Sequence, residues 1–151
     1  MNHTLMFSSK LDEWETPQDV YDRLNAEFDF EVDLAASTDN HKCDHWWAKD
    51  DDALVQTWHD GFSRGWLNPP YSRGLCAKFI AKAAAERLQG FLTVMLLPAR
   101  TDTKAFHAYI YDAKTWQSKP GVEIRLLPGR LRFSGSANAA PFPSMIVVFR
   151  P

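Results

Sequence analysis

The sequence predicts a mixed α/β fold: one sheet with helices on its faces, in a single domain. Three observations predict it. Segments of strand character alternate with segments of helical character, the pattern of a sheet covered by helices. Residues 91–97 form a continuous apolar run, which reads as a strand buried on both faces. A length of 151 residues suits one three-layer core with little to spare.

The elements follow in order. Residues 1–13 are polar and read as a loosely ordered start, with the single domain running over 14–151. Residues 17–27 suit a helix, with Thr16 as N-cap, Pro17 as first helical residue, and Val20, Leu24 and Phe28 on one face. Residues 28–34 alternate (Phe28, Phe30, Val32 and Leu34 against acids) and read as a strand. The polar, Trp-rich stretch 35–60 carries no clear period beyond a short helix near 51–58. Residues 65–68 read as a short strand ending in a Pro-Pro turn. An Ala-rich helix over 75–88 stops near Gly90, and the buried strand 91–97 stops at Pro98. A helix over 103–111 and strands over 122–127 and 145–149 follow, with 130–133 as one more. In such sheets ligands sit outside the carboxyl ends of the strands, where Asp33 and Asn68 fall.

Composition excludes several classes. The chain is 45% hydrophobic and 24% charged, as a globular protein is, and its longest apolar run is too short to cross a membrane. The N-terminus lacks the pattern of a secretory signal. Two cysteines, Cys43 and Cys76, make no disulfide framework, so a reducing cytoplasm is the expected setting. The net charge of −2 hides an asymmetry: residues 1–60 carry four Lys/Arg against fifteen Asp/Glu, residues 61–151 thirteen against four. The second part can face a polyanion, although solvated surface charge accounts for the same numbers.

Asn68-Pro69-Pro70-Tyr71 is the most informative motif. Methylating a conjugated exocyclic amine requires its delocalised lone pair to be gathered onto a tetrahedral nitrogen. Two acceptors beside the amine hydrogens favour that geometry; an Asn side-chain carbonyl and a Pro backbone carbonyl can supply them. Two prolines stiffen the turn and hold both acceptors in place. Tyr71 offers an aromatic face on which a flipped-out base can stack. The plainer reading is a strand-ending turn with a packing tyrosine; a strand before and a helix after weigh against it.

With this motif in hand, the chain resembles the compact phage-type DNA N6-adenine methyltransferases, a Dam-like family, from about Trp14 to Pro151. The carriers are Trp14-Glu15-Thr16-Pro17, residues 30–37 with Asn40, Asp52-Ala53-Leu54, residues 66–72, residues 96–103, Gly129-Arg130-Leu131-Arg132-Phe133 and residues 140–144. The resemblance implies a Rossmann-like fold, S-adenosylmethionine as methyl donor and double-stranded DNA as partner. If the chain is phage-encoded, it implies the host cytoplasm as location. It also implies that Asp33-Leu34-Ala35-Ala36 stands where larger relatives carry a glycine-rich cofactor loop, and that Thr16 and Pro17 touch the methionine end of the cofactor. Only 34 residues separate Asp33 from Asn68, too few for a full set of elements, so the sheet is expected to be reduced.

Other residues carry two readings each. Asp33 is a cofactor contact or a cap; Ala35 lets the backbone approach the cofactor. Asp52 receives ribose hydroxyls or the adenine amine, or belongs to a solvated acidic turn. Arg100 binds phosphate or helps to hold the target base, or is a surface arginine beside a helix-capping Thr101. Arg130 and Arg132, two apart, suit phosphate contacts. His41-Lys42-Cys43-Asp44-His45 invites a zinc reading, but its spacing is unlike that of common sites, so it is treated as a polar loop with no metal. No segment is long enough for a separate target-recognition domain, which leaves loops such as 134–143. Oligomeric state is left open. Two alternatives stand beside DNA adenine methylation: another conjugated amine (cytosine N4, RNA adenine, protein glutamine), or a non-catalytic nucleic-acid-binding descendant.

Overall fold

In the computed structural model the described residues are 14–151, so the expectation for 1–13 lies outside them. Helix α1 (Gln18–Phe28) buries Tyr21, Leu24 and Phe28, spaced three and four apart as one helical face requires. Val20, expected on that face, packs only at its margin. Pro17 rather than Thr16 is the cap residue. The helix ends at Asp29, whose positive φ of 53° turns the chain back while its N–H bonds Asn25 O at 2.9 Å.

That turn corrects the strand expected from residue 28. Phe28 closes the helix and Phe30 lies in the connection, packed near Tyr21 and Trp66, so the alternation began before extended backbone did. Strand β1 is Val32–Ala36. After it come β2 (His45–Ala48), a 3-10 turn at Lys49–Asp51 where a short helix was expected further on, and β3 (Arg64–Leu67). Helix α2 (Arg73–Arg87) buries Cys76, Phe79, Ile80 and Ala83. Strand β4 is Leu92–Pro98, followed by a π-helical turn, Phe106–Ile110, within the segment read as a longer helix. The hairpin β5 (Tyr111–Asp112) and β6 (Gln117–Ser118) precedes β7 (Val122–Leu126) and β8 (Ser144–Phe149). Residues 130–133 form no strand; the chain there makes one bridge, Glu15 to Ser134.

The main sheet has the order β2-β1-β3-β4-β8-β7. Pairs β2–β1, β1–β3 and β3–β4 are parallel, and β8 runs antiparallel between β4 and β7. Side chains alternate across it. Val94, Leu96, Ile146 and Val148 face α1, whereas Met95, Leu97, Val147 and Phe149 face α2. Burial on both faces explains why β4 and β8 read as unbroken apolar runs. Gly65 keeps β1 and β3 close to the connection before β4: a Cβ there would lie 2.8 Å from side-chain atoms of Leu34 and Phe91. Between β1 and β3 the chain makes one strand and no full helix, as the short spacing implied.

Candidate functional site

From β1 the chain first builds outward to β2, then returns to add β3 on the other side. The connection out of β1 runs to one side and the one out of β2 crosses back to the other, so a crevice opens where the carboxyl ends of β1 and β3 diverge. A cavity of about 900 Å³ occupies it. Its walls come from the β1 end (Asp33, Leu34, Ala35, Ala36, Ser37), the loop to β2 (Asp39, Asn40, Lys42), β2 and its turn (Trp47, Lys49, Asp52), the β3 end (Trp66, Asn68, Pro70) and α2 (Leu75, Phe79). Trp14, Glu15, Thr16 and Ser134 close one side.

Asn68 follows the last residue of β3, and its amide orientation is fixed by chemistry. Its Nδ2 donates to the Trp14 carbonyl and to Thr16 Oγ1, the latter at 2.9 Å. A carbonyl oxygen can only accept, so the group facing Trp14 must be the NH2 end. The other end, Oδ1, is buried and has no hydrogen-bond donor among the described residues. Leaving such an acceptor unmade costs on the order of 1–3 kcal/mol in a folded protein. This one, unlike the Thr93 and Ser144 hydroxyls, similarly unpartnered among the described residues, belongs to a residue that lines the cavity.

Asp33 is only 4% exposed. One carboxylate oxygen accepts from Ala35 N–H at 3.3 Å and the other from Lys42 N–H at 2.9 Å. Burial pushes its carboxyl up to about 6, against the pull of those two N–H groups. The carboxylate therefore pins both ends of the 35–42 loop, helped by the paired bonds between Ser37 and Asn40 at 3.0 and 3.2 Å. Where a glycine-rich loop would shape itself through its own backbone, this alanine loop is shaped by an acid. Nearby, the Tyr21 hydroxyl and Cys43 thiol share a bond at 3.2 Å, and burial pushes the thiol up to about 11.

Asp52 has a positive φ of 50° and an exposed side chain at the cavity wall, with Oδ1 accepting Leu54 N–H at 3.2 Å. Thr16, Asp33, Ala35, Asp52 and Asn68 thus share one cavity; Pro17 stands just outside its lining.

Tyr71 is placed differently from the sequence reading. It is 2% exposed, its hydroxyl donates to Leu96 O at 3.1 Å, and burial raises the phenol well above its ordinary range. Its ring meets Phe133 and Phe142 edge-on at 6.2 and 5.7 Å. The aromatic face foreseen as open is covered in this structure by the loop before β8. Pro69 is buried under the turn, while Pro70 reaches the cavity.

The three arginines lie outside the cavity lining. Arg100 Nη1 donates to the Tyr71 carbonyl at 2.6 Å, bracing the tetrapeptide from the β4 loop. Thr103, not Thr101, caps the turn that follows, accepting Phe106 N–H at 3.3 Å. Arg130 and Arg132 are both exposed. In the polar loop His41 Nδ1 pairs with Cys43 O at 2.8 Å and its ring stacks on Trp46 at 3.8 Å. Sequence reasoning missed β2, though it singled out Trp46-Trp47 in a polar loop as a gate to the site; it placed Ser134 in a recognition loop rather than at the cavity wall, and it missed Leu75 and Phe79. The Ala-rich helix carried the only usable signal, since Leu75 and Phe79 are four apart and fall on one side of it.

The family model described as DNA N-6-adenine-methyltransferase (Dam) matches residues 3–151. A protein of Escherichia phage T1 named DNA N-6-adenine-methyltransferase is 33% identical over 96 residues, covering 63% of this chain and 39% of the relative. One of the same name from Haemophilus phage HP1 (strain HP1c1) is 27% identical over 146 residues, 95% of this chain and 81% of the relative. The first match thus spans well under two thirds of that relative's length, the second most of it.

Proposed function

Because this chain belongs to the DNA N-6-adenine-methyltransferase (Dam) family, we propose that it transfers a methyl group from S-adenosylmethionine to the exocyclic N6 of adenine in DNA. The observation that carries the reading is Asn68 Oδ1: a buried acceptor without a donor among the described residues, on an amide whose other end is tied down. A conjugated amine brought beside it gains one of the two acceptors that a tetrahedral nitrogen needs; the backbone carbonyl of Pro69 is the candidate for the second.

The cavity suits the methyl donor in size and charge. Its volume of about 900 Å³ falls in the range of cofactor sites. Glu15, Asp33, Asp39 and Asp52 among its lining residues outnumber Lys42 and Lys49, which favours a cationic ligand over a phosphate. S-adenosylmethionine, when bound, supplies an electrophilic methyl on a sulfonium, so no covalent nucleophile is required of the protein. In this reading Asp33, Ala35 and Asp52 hold the donor, with Thr16 beside them at the cavity wall and Pro17 just behind it. Asn68 with Pro69 and Pro70 orients the amine, and Tyr71 supports the turn. The sheet, with its crossover between β1 and β3, supports a reduced Rossmann-like methyltransferase fold. Arg130 and Arg132 are the candidate contacts to double-stranded DNA.

The test is transfer of tritium from labelled S-adenosylmethionine to duplex DNA, followed by nucleoside analysis. N6-methyladenine is expected. N4-methylcytosine as sole product would overturn the substrate, and absence of transfer together with absence of a thermal shift by the donor would overturn the activity.

A further inference from the structure

We infer that Thr16 is a positioning residue that holds the Asn68 amide in place while the main-chain carbonyl of Trp14 sets which end of it faces the reacting amine. The inference deepens the methyltransferase reading and rests on it. An asparagine amide has two nearly isosteric orientations, and only one presents the acceptor. Trp14 O and Thr16 Oγ1 both receive Asn68 Nδ2; turning the amide over would set Oδ1 against the Trp14 carbonyl oxygen and forfeit that bond, whereas the Thr16 hydroxyl, able to donate or accept, ties the amide in place. Thr16 is 2% exposed, which keeps water from standing in for either partner.

The local sequence explains why Thr16 is available for this. The residue before a proline is disfavoured in helical conformation, so Thr16 precedes the helix rather than entering it. Pro17 is the cap residue, and the Thr16 hydroxyl is directed to Asn68 instead of to the helix end. The segment is in turn held from outside: Ser134 N–H donates to Glu15 O at 3.0 Å, and Ser134 Oγ to Thr16 O at 3.4 Å. The Trp14 ring packs edge-on against Phe133 and Phe142, each at 5.2 Å. The position of the acceptor thus depends on a strap before α1 that the tetrapeptide itself does not contain.

Thr16→Val removes the hydroxyl at nearly constant volume, and Thr16→Ser keeps it. For Thr16→Val we expect kcat to fall about tenfold, the worth of one hydrogen bond, with the donor's Kd and the KM for DNA within about twofold of wild type. Thr16→Ser should restore kcat to within about twofold. A second measurement needs neither donor nor DNA: proton exchange of the Asn68 side-chain amide by NMR, identified by its disappearance in Asn68→Asp. In the wild-type protein it should exchange far more slowly than the exposed Asn138 amide, and Thr16→Val should speed it while Thr16→Ser does not. If Thr16→Val fails to fold, the wild-type comparison with Asn138 decides alone. Exchange as fast as that of Asn138, exchange unchanged in a folded Thr16→Val, or an effect confined to the donor's Kd would overturn the inference. A wild-type protein that makes no N6-methyladenine yet protects the Asn68 amide would instead overturn the methyltransferase reading and leave the positioning intact.

Discussion

The Arg100 guanidinium donates to the backbone carbonyl of Tyr71 at 2.6 Å, joining the loop after β4 to the last residue of the Asn-Pro-Pro-Tyr turn. A charge-assisted bond of this length is stronger than a neutral one and holds the turn where prolines alone fix only φ. Arg100→Ala should therefore lower turnover by about tenfold and stability by roughly 1–3 kcal/mol, without changing how DNA binding depends on salt. Kinetics at two salt concentrations check this. A reduced salt slope would mean that Arg100 contacts phosphate after all.

Asn68→Ala removes the buried acceptor, and turnover should fall by roughly 10²–10³-fold, as for other pre-organised groups aimed at a transition state. Asn68→Asp keeps an acceptor but loses both donors, so a carboxylate would face the Trp14 carbonyl. Protonation relieves that repulsion. We expect residual activity in Asn68→Asp that declines as pH rises, measured as kcat against pH beside the wild type. A flat profile equal to the wild type would contradict the proposed orientation of the amide.

The Asp33 carboxyl sits at about 6 because of burial, above its ordinary 3.8. Between those values the native state keeps a proton that the unfolded chain has released. The stability this group contributes is therefore fully present below 3.8 and lost as pH rises through about 6. Glu123, drawn down to about 2 by Arg125 and Arg150, acts in the opposite sense, stabilising above 4.5 and losing that effect as pH falls toward 2. Carbon-13 titration of Asp33 should give a midpoint near 6, and Asp33→Ala should weaken donor binding by loosening the 35–42 loop. A midpoint at the ordinary carboxylate value would remove the burial argument.

DNA binding should weaken with added salt, and replacing Arg130 and Arg132 by alanine should flatten that dependence. The slope should change by about 0.9 for each phosphate that an arginine no longer neutralises. Both side chains lie outside the cavity lining, so donor binding should be unaffected. An unchanged slope would return both residues to ordinary surface.

What the sequence disclosed, and what it concealed, follows from how local each signal is. β4 and β8 were legible because burial on both faces leaves few polar positions. Asn68 was legible because its neighbours Pro69 and Pro70 mark a rigid turn. The alternation from Phe28 misled, since a helix end and a following strand can share a period of two across a left-handed residue, Asp29. β2 was hidden because none of its four residues is fully covered, so His45-Trp46-Trp47-Ala48 lacks a buried face to show in its pattern. The cover over Tyr71 was invisible for another reason: Phe133 and Phe142 lie about 60 and 70 residues away, and no local pattern reports so distant a contact. The same holds for Thr16 and Asn68, 52 residues apart.

The antiparallel strand β8 also governs when this sheet can assemble. Among the described residues β7 pairs with no other strand of the main sheet, and β4 on that side has no other partner. While a ribosome is still making residue 143, both strands present unpaired edges, and the β4 edge is among the most apolar stretches of the chain. Closing the loop of roughly fifty residues between β4 and β8 is a slow, non-local step. The nascent chain thus passes through an interval in which its parallel half is complete and sticky. Its yield in a cell depends on how quickly six residues, Ser144–Phe149, slide into the gap.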